Sequence, residues 1–522
     1  MNIKPYILVL LIALLPLASK AQVATTPLYT NLPSDSLMYM LYFNKAHFAE
    51  EKLVKKAIEE LPEAFQGVAS GVDEFCFHGQ AHKLYDVYRI DFKSKAPVSI
   101  EELSKALEKF RLTVKDFKDG MVLLEGGSHQ FGYFVKGKHY STLKIYSQTT
   151  VIDDELRVPF EKVRGQLINS DNYKDYDESI HLRAQLDSIG SLDTLTAKNY
   201  FEGLIGAEQS DFSNGVDIQE YKSKLKVKSN IKVLCASKPV VAYVDNKQIN
   251  RLPYYLYSDI DYGFYEMMGS LNAATAAFIT AENGWYSADV TQKEIKIECI
   301  SSLKKGKHFC YALDTDVMKY LPQVRPESFV AYNLNIAELK AHLLKHFSIP
   351  HMHGEEEGYA KLAMLAVDDD FLAMISNGFI AVNKGEAFGR DFPDFKVVFK
   401  LSDQRKGKML MRIVCEDFDM FHDLGNNKYV IGDRVDSDEK INLCIKGDVW
   451  IMGTASFDEL QKELSSATLK VKYPEVNGKK VLHYAKVNET LFGSSDGAFK
   501  TIEYKSQLIN KKTISSTAVI KR

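Results

Sequence analysis

Leu321-Pro322-Gln323-Val324-Arg325-Pro326-Glu327-Ser328-Phe329-Val330-Ala331-Tyr332-Asn333-Leu334-Asn335 is the stretch on which the fold turns. Residues 328–334 read as a strand. The run after it, 336–347, places Ile336, Leu339, Leu343 and Phe347 on one helical stripe. The chain opens in the same way. In Leu32-Pro33-Ser34-Asp35-Ser36-Leu37-Met38-Tyr39-Met40-Leu41-Tyr42-Phe43-Asn44, residues 37–43 are apolar almost throughout, which reads as a central strand. Phe48, Leu53, Ala57 and Leu61 then share a stripe that Pro62 ends. In one register Asn44 falls on Asn335, Phe43 on Leu334 and Phe48 on Leu339.

Both stretches lead into a β segment, a helix and further strands. In the first half, 72–78 and 83–92 read as a hairpin over Gly79-Gln80, followed by strands at 121–124, 131–135 and 142–146. Strands 285–290, 295–300 and 308–313 precede a short helix at 315–320. In the second half Ser456 and Glu459 form a capping box at a helix start. The expected fold class is therefore α+β, with two related halves of antiparallel sheet and flanking helices. The expected organisation is a signal peptide at 1–21, a first α+β unit at 22–150, and a polar, charged elaboration at 151–228. A β-rich completion follows at 229–320, and the second α+β half is 321–522.

The 522 residues carry 66 Lys plus Arg against 69 Asp plus Glu, a net charge of -3. That balance gives no electrostatic reason to expect a nucleic-acid partner. Lys4, the apolar run 6–18 and Ser19-Lys20-Ala21 form the three regions of a cleaved secretory signal. No later run approaches the roughly 20 apolar residues of a membrane span, so no transmembrane span is expected in the mature chain. The expected location is periplasmic, outer-membrane-associated or secreted. Six scattered cysteines make no disulfide scaffold. Cys299 and Cys310 flank Lys304-Lys305-Gly306-Lys307 and are the pair that a hairpin would bring face to face.

The densest constellation is His342, His346, His351 and His353, followed by Glu355-Glu356-Glu357. His342 and His346 stand four apart on a helix, so both imidazoles can reach one transition metal. The competing reading makes them boundary residues beside the Leu339–Leu343 stripe. Cys76, His78 and His82 are a weaker echo, and alternation puts Cys76 and His78 on one face. Asp368-Asp369-Asp370, and Asp433 with Asp436 and Asp438, lack the glycine and distal glutamate of a calcium loop. Tyr254-Tyr255-Leu256-Tyr257, with Tyr262, Phe264 and Tyr265, would suit a glycan or a protein partner if exposed, and a sheet core if not. No nucleophile elbow, zinc-protease or phosphate-loop motif is present.

The signal followed by Gln22, the Leu-Pro-x-Asp-Ser-Leu opening at Leu32, the strand ending in Asn44 and its second copy resemble uncharacterised secreted or envelope proteins of Bacteroidota. That resemblance implies duplicated strand–helix halves and no particular activity. The chain departs from the lipoprotein members in having no cysteine at the cleavage point. Asp187-Ser188-Ile189 and Asp193-Thr194-Leu195 resemble the O-glycosylation acceptors of that phylum, which would make Ser188 and Thr194 modified loop residues; Asp35-Ser36-Leu37 is a third match. The function expected from all this is a non-catalytic envelope protein that binds an envelope protein or glycan, or supports envelope assembly. The alternatives are a metal-binding protein using the histidine cluster, and a hydrolase whose site has no recognisable motif.

Overall fold

In the computed structural model, the described residues are 37–48, 70–94, 112–118, 121–126, 130–136, 140–170, 176–213, 229–245, 281–303, 310–322, 324–335, 376–384, 393–401, 403–436, 440–466, 480–488 and 500–521. Positions 28, 54, 55, 107, 338, 340, 341, 473, 475 and 476 are described singly. The chain divides into two compact units, 1–268 with 283–292, and 269–282 with 293–522.

The first unit contains β1 (Leu37–Asn44), β2 (Val72–Ala81), β3 (Tyr85–Ser94), β4 (Leu112–Lys118), β5 (Met121–Gly126), β6 (Gln130–Lys136) and β7 (Tyr140–Gln148). Helices α1 (Asp154–Ser170), α2 (Tyr176–Ser213) and α3 (Ser229–Ser237) follow, then β8 (Val240–Asp245) and β9 (Ala281–Val290). Every pairing is antiparallel, in the order β4-β5-β6-β7-β3-β2-β1-β8-β9. One face packs Tyr88, Phe92, Leu143 and Ile145 with Phe75, Phe77 and Ile90. On the other face α2 docks through fully buried Phe201, stacked on Phe131 at 5.0 Å and tilted against Tyr146 at 5.7 Å. Asp153 starts α1, its carboxylate accepting from Glu155 N, and acidic Asp154 and Glu155 fill the first turn, where the helix dipole favours them.

The second unit contains β10 (Glu294–Leu303), α4 (Thr315–Met318), β11 (Ser328–Asn333), β12 (Asn377–Asn383), β13 (Asp394–Lys400) and α5 (Gln404–Asp417). It continues with β14 (Phe421–Asp423), β15 (Lys428–Ile431), β16 (Ile441–Lys446), β17 (Val449–Gly453), α6 (Phe457–Ser466), β18 (Val481–Asn488), β19 (Thr501–Asn510) and β20 (Thr513–Lys521). Its order is β14-β15-β16-β17-β13-β12-β11-β18-β19-β20-β10, again antiparallel throughout. The tight turn between β14 and β15 uses Gly425, Asn426 and Asn427, all at positive φ, where glycine and asparagine cost least.

The two orders are the same threading, strand for strand, from β4 to β9 and from β14 to β19. The registers agree as well. Met40 lies between His78 of β2 and Tyr243 of β8. Ala331 lies between Phe379 of β12 and Tyr484 of β18. Val240-Val241-Ala242-Tyr243-Val244 thereby occupies the place of Val481-Leu482-His483-Tyr484-Ala485. Asn44 and Asn335 do the same job after their strands, accepting from Ala46 N at 2.9 Å and from Glu338 N at 3.4 Å.

The α+β expectation is overturned. The described residues are mostly antiparallel sheet, 50% strand against 30% helix. The reason lies in strands longer than an apolar run marks: β10 and β19 alternate charged or hydroxyl residues with apolar ones over most of their ten residues, and β20 runs for nine with Ser515-Ser516-Thr517 inside it. The expected elaboration at 151–228 contains α1 and the 38-residue α2. The turn of the first hairpin lies past Ala81, because β2 continues through Gly79-Gln80. The Ser456–Glu459 capping box is formed reciprocally, Ser456 N donating to Glu459 at 2.9 Å and Glu459 N to Ser456 Oγ at 3.4 Å. No helix among the described residues is long and apolar enough to cross a membrane.

The core of the second unit closes around Phe329, fully buried and ringed by Tyr484 at 4.8 Å and Tyr473 at 5.3 Å. Phe329→Ala is expected to destabilise this unit by about 3–5 kcal/mol. Urea titration followed by the fluorescence of Trp450, in a Trp285→Phe background, checks it; an unmoved midpoint would count against this packing.

Candidate functional site

Strand alternation sets Glu74, Cys76 and His78 of β2 on one buried face. The neighbours opposite them are Lys93, Asp91 and Arg89 of β3. Next to these, on β7, stand Tyr140, Thr142 and Lys144. On the other side β1 supplies Asn44, Tyr42 and Met40. The centre of the sheet thus carries a charged patch. On the same face an apolar cluster lies under α2, and Met40, Tyr42, Cys76 and Tyr140 themselves pack in another with Cys235 of α3.

Buried charges persist only when partnered, and these are. Asp91 Oδ1 accepts from Thr142 Oγ1 at 2.7 Å and from Arg89 Nε at 2.9 Å. Glu74 Oε1 accepts from Leu28 N at 2.7 Å and from Tyr42 Oη at 2.9 Å, and Lys93 approaches its other oxygen at 3.5 Å. Burial nonetheless outweighs these bonds and raises the Glu74 pKa. Burial, then the Glu74 charge, raises the Tyr42 phenol. Burial also pushes the Cys76 and Cys235 thiols up, which withholds the nucleophilic thiolate at neutral pH. His78 is driven down from 6.5 to about 3 by burial, with Arg89 and Lys144 adding to the effect and Asp91 opposing it. Neither of its ring nitrogens meets a hydrogen-bond partner. Its imidazole is therefore neutral and enclosed.

The second unit has a polar cluster beside the corresponding strands. Asp314 caps α4 by accepting from Asp316 N at 2.8 Å, and also accepts from Lys400 Nζ at 3.1 Å and Asn377 Nδ2 at 3.2 Å. Burial pushes its carboxyl up, but those donors together outweigh it and hold the carboxyl below the ordinary range. In both units, then, a carboxylate joins a polar residue of the sheet to a backbone N–H outside it: Leu28 in one, Asp316 in the other. This arrangement fastens segments to sheets.

Of the residues singled out in the sequence, His342, His346, His351 and His353 lie outside the described residues, as do Asp368 to Asp370, Asp438 and the 254–265 aromatics. No group of three or more His, Cys, Asp or Glu among the described residues is placed to hold a metal. Cys76 and His78 share a face, as their spacing implies, while His82 stacks on Tyr85 at 4.8 Å. Asp433 and Asp436 are exposed. Cys299 and Cys310 are free thiols. Cys299 lies in β10 opposite Ser516, and Cys310 forms a bridge with Leu334 and packs with Leu303, Leu482 and Ile514. Ser188 and Thr194 are exposed, but they stand inside α2 rather than in a loop; Thr194 Oγ1 donates to the Gly190 carbonyl. Asp193 between them is fully buried. Glu74, Asp91 and Asp314 belong to no motif, and Asp193 stands in one that points to Thr194 instead; for Glu74 the one signal is its alternation with Phe75 and Phe77.

No family model and no curated protein matches the chain. Among solved structures, crystal forms III, I and IV of TP0453 show similarity at 11%, 12% and 10% identity, with TM-scores of 0.26, 0.26 and 0.27. They cover 55%, 55% and 53% of this chain, and 83%, 82% and 81% of that one. A likeness at that level assigns neither fold nor function.

Proposed function

We propose that the protein is a non-catalytic, exported envelope protein, built from two copies of one sheet unit, that binds another protein of the envelope. The shared threading and the Tyr243–Tyr484 register support the duplication. The role of the buried carboxylates in fastening segments to the sheets supports a structural reading of the charged patch. The observation that carries the binding role is the outward face of the α1–α2 pair. Leu192 is 68% and Leu195 69% exposed on α2, with Ile180 on the same helix and Val158 on α1 also exposed. Large apolar side chains grouped on one exposed helix mark an interaction surface.

Site-specific photo-crosslinking from position 195 in intact cells tests this. A single adduct recovered with the envelope fraction, and lost in a Leu192→Glu variant, is expected. Recovery of the protein from the cytoplasm, or adducts indifferent to Leu192→Glu, would refute the reading.

A further inference from the structure

Helix α5 carries its charges in an order that does not serve the helix itself. Asp403 caps it, accepting from Arg405 N and Lys406 N. Within the helix, however, the first turn has no acidic residue and the last has no basic one. Arg405, Lys406 and Lys408 lie in the first half, and Glu416 and Asp417 close the second, followed by Asp419; all six are exposed. The helix dipole favours the opposite arrangement, anions first and cations last. The Arg412–Glu416 pair at 2.7 Å likewise has its cation on the N-terminal side, the weaker orientation for an i,i+4 bridge.

Between the charged ends the outward face is apolar. Met409 is 65% exposed and Ile413, one turn on, is 42% exposed. Phe418 and Met420 continue the exposed apolar surface beyond the helix. The inward face is already occupied, with Met411 and Gly407 buried toward Leu401 and Trp450. A basic end, an apolar middle and an acidic end on one exposed helix are self-complementary under a two-fold axis. An anionic lipid surface would suit the first end and repel the other. A second copy running antiparallel matches both ends.

We propose that α5 is a docking surface for a second copy of this chain. The two α5 helices pack antiparallel and cross at the level of Met411, so that Met409 of each copy meets Ile413 of the other. Arg405 and Lys406 of each copy then face Glu416 and Asp417 of the other. A pair of 14-residue helices is small beside the standard interface of about 1,600 Å², so the association is weak, concentration-dependent and salt-sensitive. The proposal is independent of the partner assigned to α2.

Sedimentation equilibrium of the full chain over a concentration series tests it. The mass is expected to rise toward twice that of the monomer, with dissociation roughly tenfold easier in high salt. Arg405→Glu with Lys406→Glu makes both ends acidic, and Glu416→Lys with Asp417→Lys makes both ends basic. Each double variant is expected to remain monomeric alone. Mixed together they are expected to form a heterodimer, which also shows that both are folded. A wild type that stays monomeric throughout, a dimer that survives both reversals, or variants that melt like the wild type yet do not pair when mixed would overturn the proposal.

Discussion

Replacing Asp193 by alanine is expected to destabilise the first unit by about 3–5 kcal/mol, the cost of leaving buried donors without their charged acceptor. Asp193 is fully buried in the middle of α2. Its carboxylate accepts from Ile152 N and Asp153 N, both at 2.8 Å, at the point where the chain enters α1. It also accepts from Gln148 Nε2 at 2.5 Å, at the end of β7. One side chain therefore joins a strand end, a helix entry and a second helix. Asp193→Asn keeps a carbonyl oxygen and should cost less than Asp193→Ala. Because the two tryptophans, Trp285 and Trp450, fall in different units, a Trp450→Phe background isolates the first unit in a urea titration. Equal midpoints for the parent chain and its Asp193→Ala variant would sink the assignment.

His78→Leu is expected to flatten the acid limb of the stability profile. The folded unit holds His78 neutral to about pH 3, whereas the unfolded chain protonates it near 6.5. Between those values the unfolded state binds more protons, so stability falls as pH drops through the window and is complete only above it. Each pH unit is worth about 1.4 kcal/mol. The wild type should therefore lose about 2–3 kcal/mol relative to the leucine variant between about pH 6.5 and 4.5. Glu74 titrates with the opposite sign, since its pKa is raised, but it is present in both proteins and cancels in the comparison. Phe379, the apolar residue at the matching position of the second unit, shows that this slot in the threading accepts a side chain without a proton to exchange. Parallel slopes for the two proteins would show that His78 is not enclosed as described.

What the sequence makes legible is local. The runs at Leu37 and Ser328 read as strands, the first as a central one, and both strands have a partner on each side. The Ser456–Glu459 box and the short helix after Asp314 are readable from a few adjacent residues. Helix α2 is not, because its apolar residues point both ways: Leu182 and Phe201 inward, Leu192 and Leu195 outward. No single stripe survives, and the stretch looks like polar loop. Asp193-Thr194-Leu195 resembles a loop acceptor, but its aspartate has a packing role that only the fold reveals. The strand order is equally hidden. It depends on which distant strand fills the open side of β1 or β11, and nothing near either strand specifies β8 or β18.

That long-range closure limits how fast the chain reaches its native state. Tyr39 must find Val244, and Phe329 must find Lys486, before either central strand loses its open edge. Contacts so distant in sequence form late and slow folding. Meanwhile the two open edges have matching registers, so β8 and β18 are each a fitting guest for the wrong host. Their differences, His483 where the first unit has Ala242 above all, become discriminators between correct and crossed strand pairing during folding.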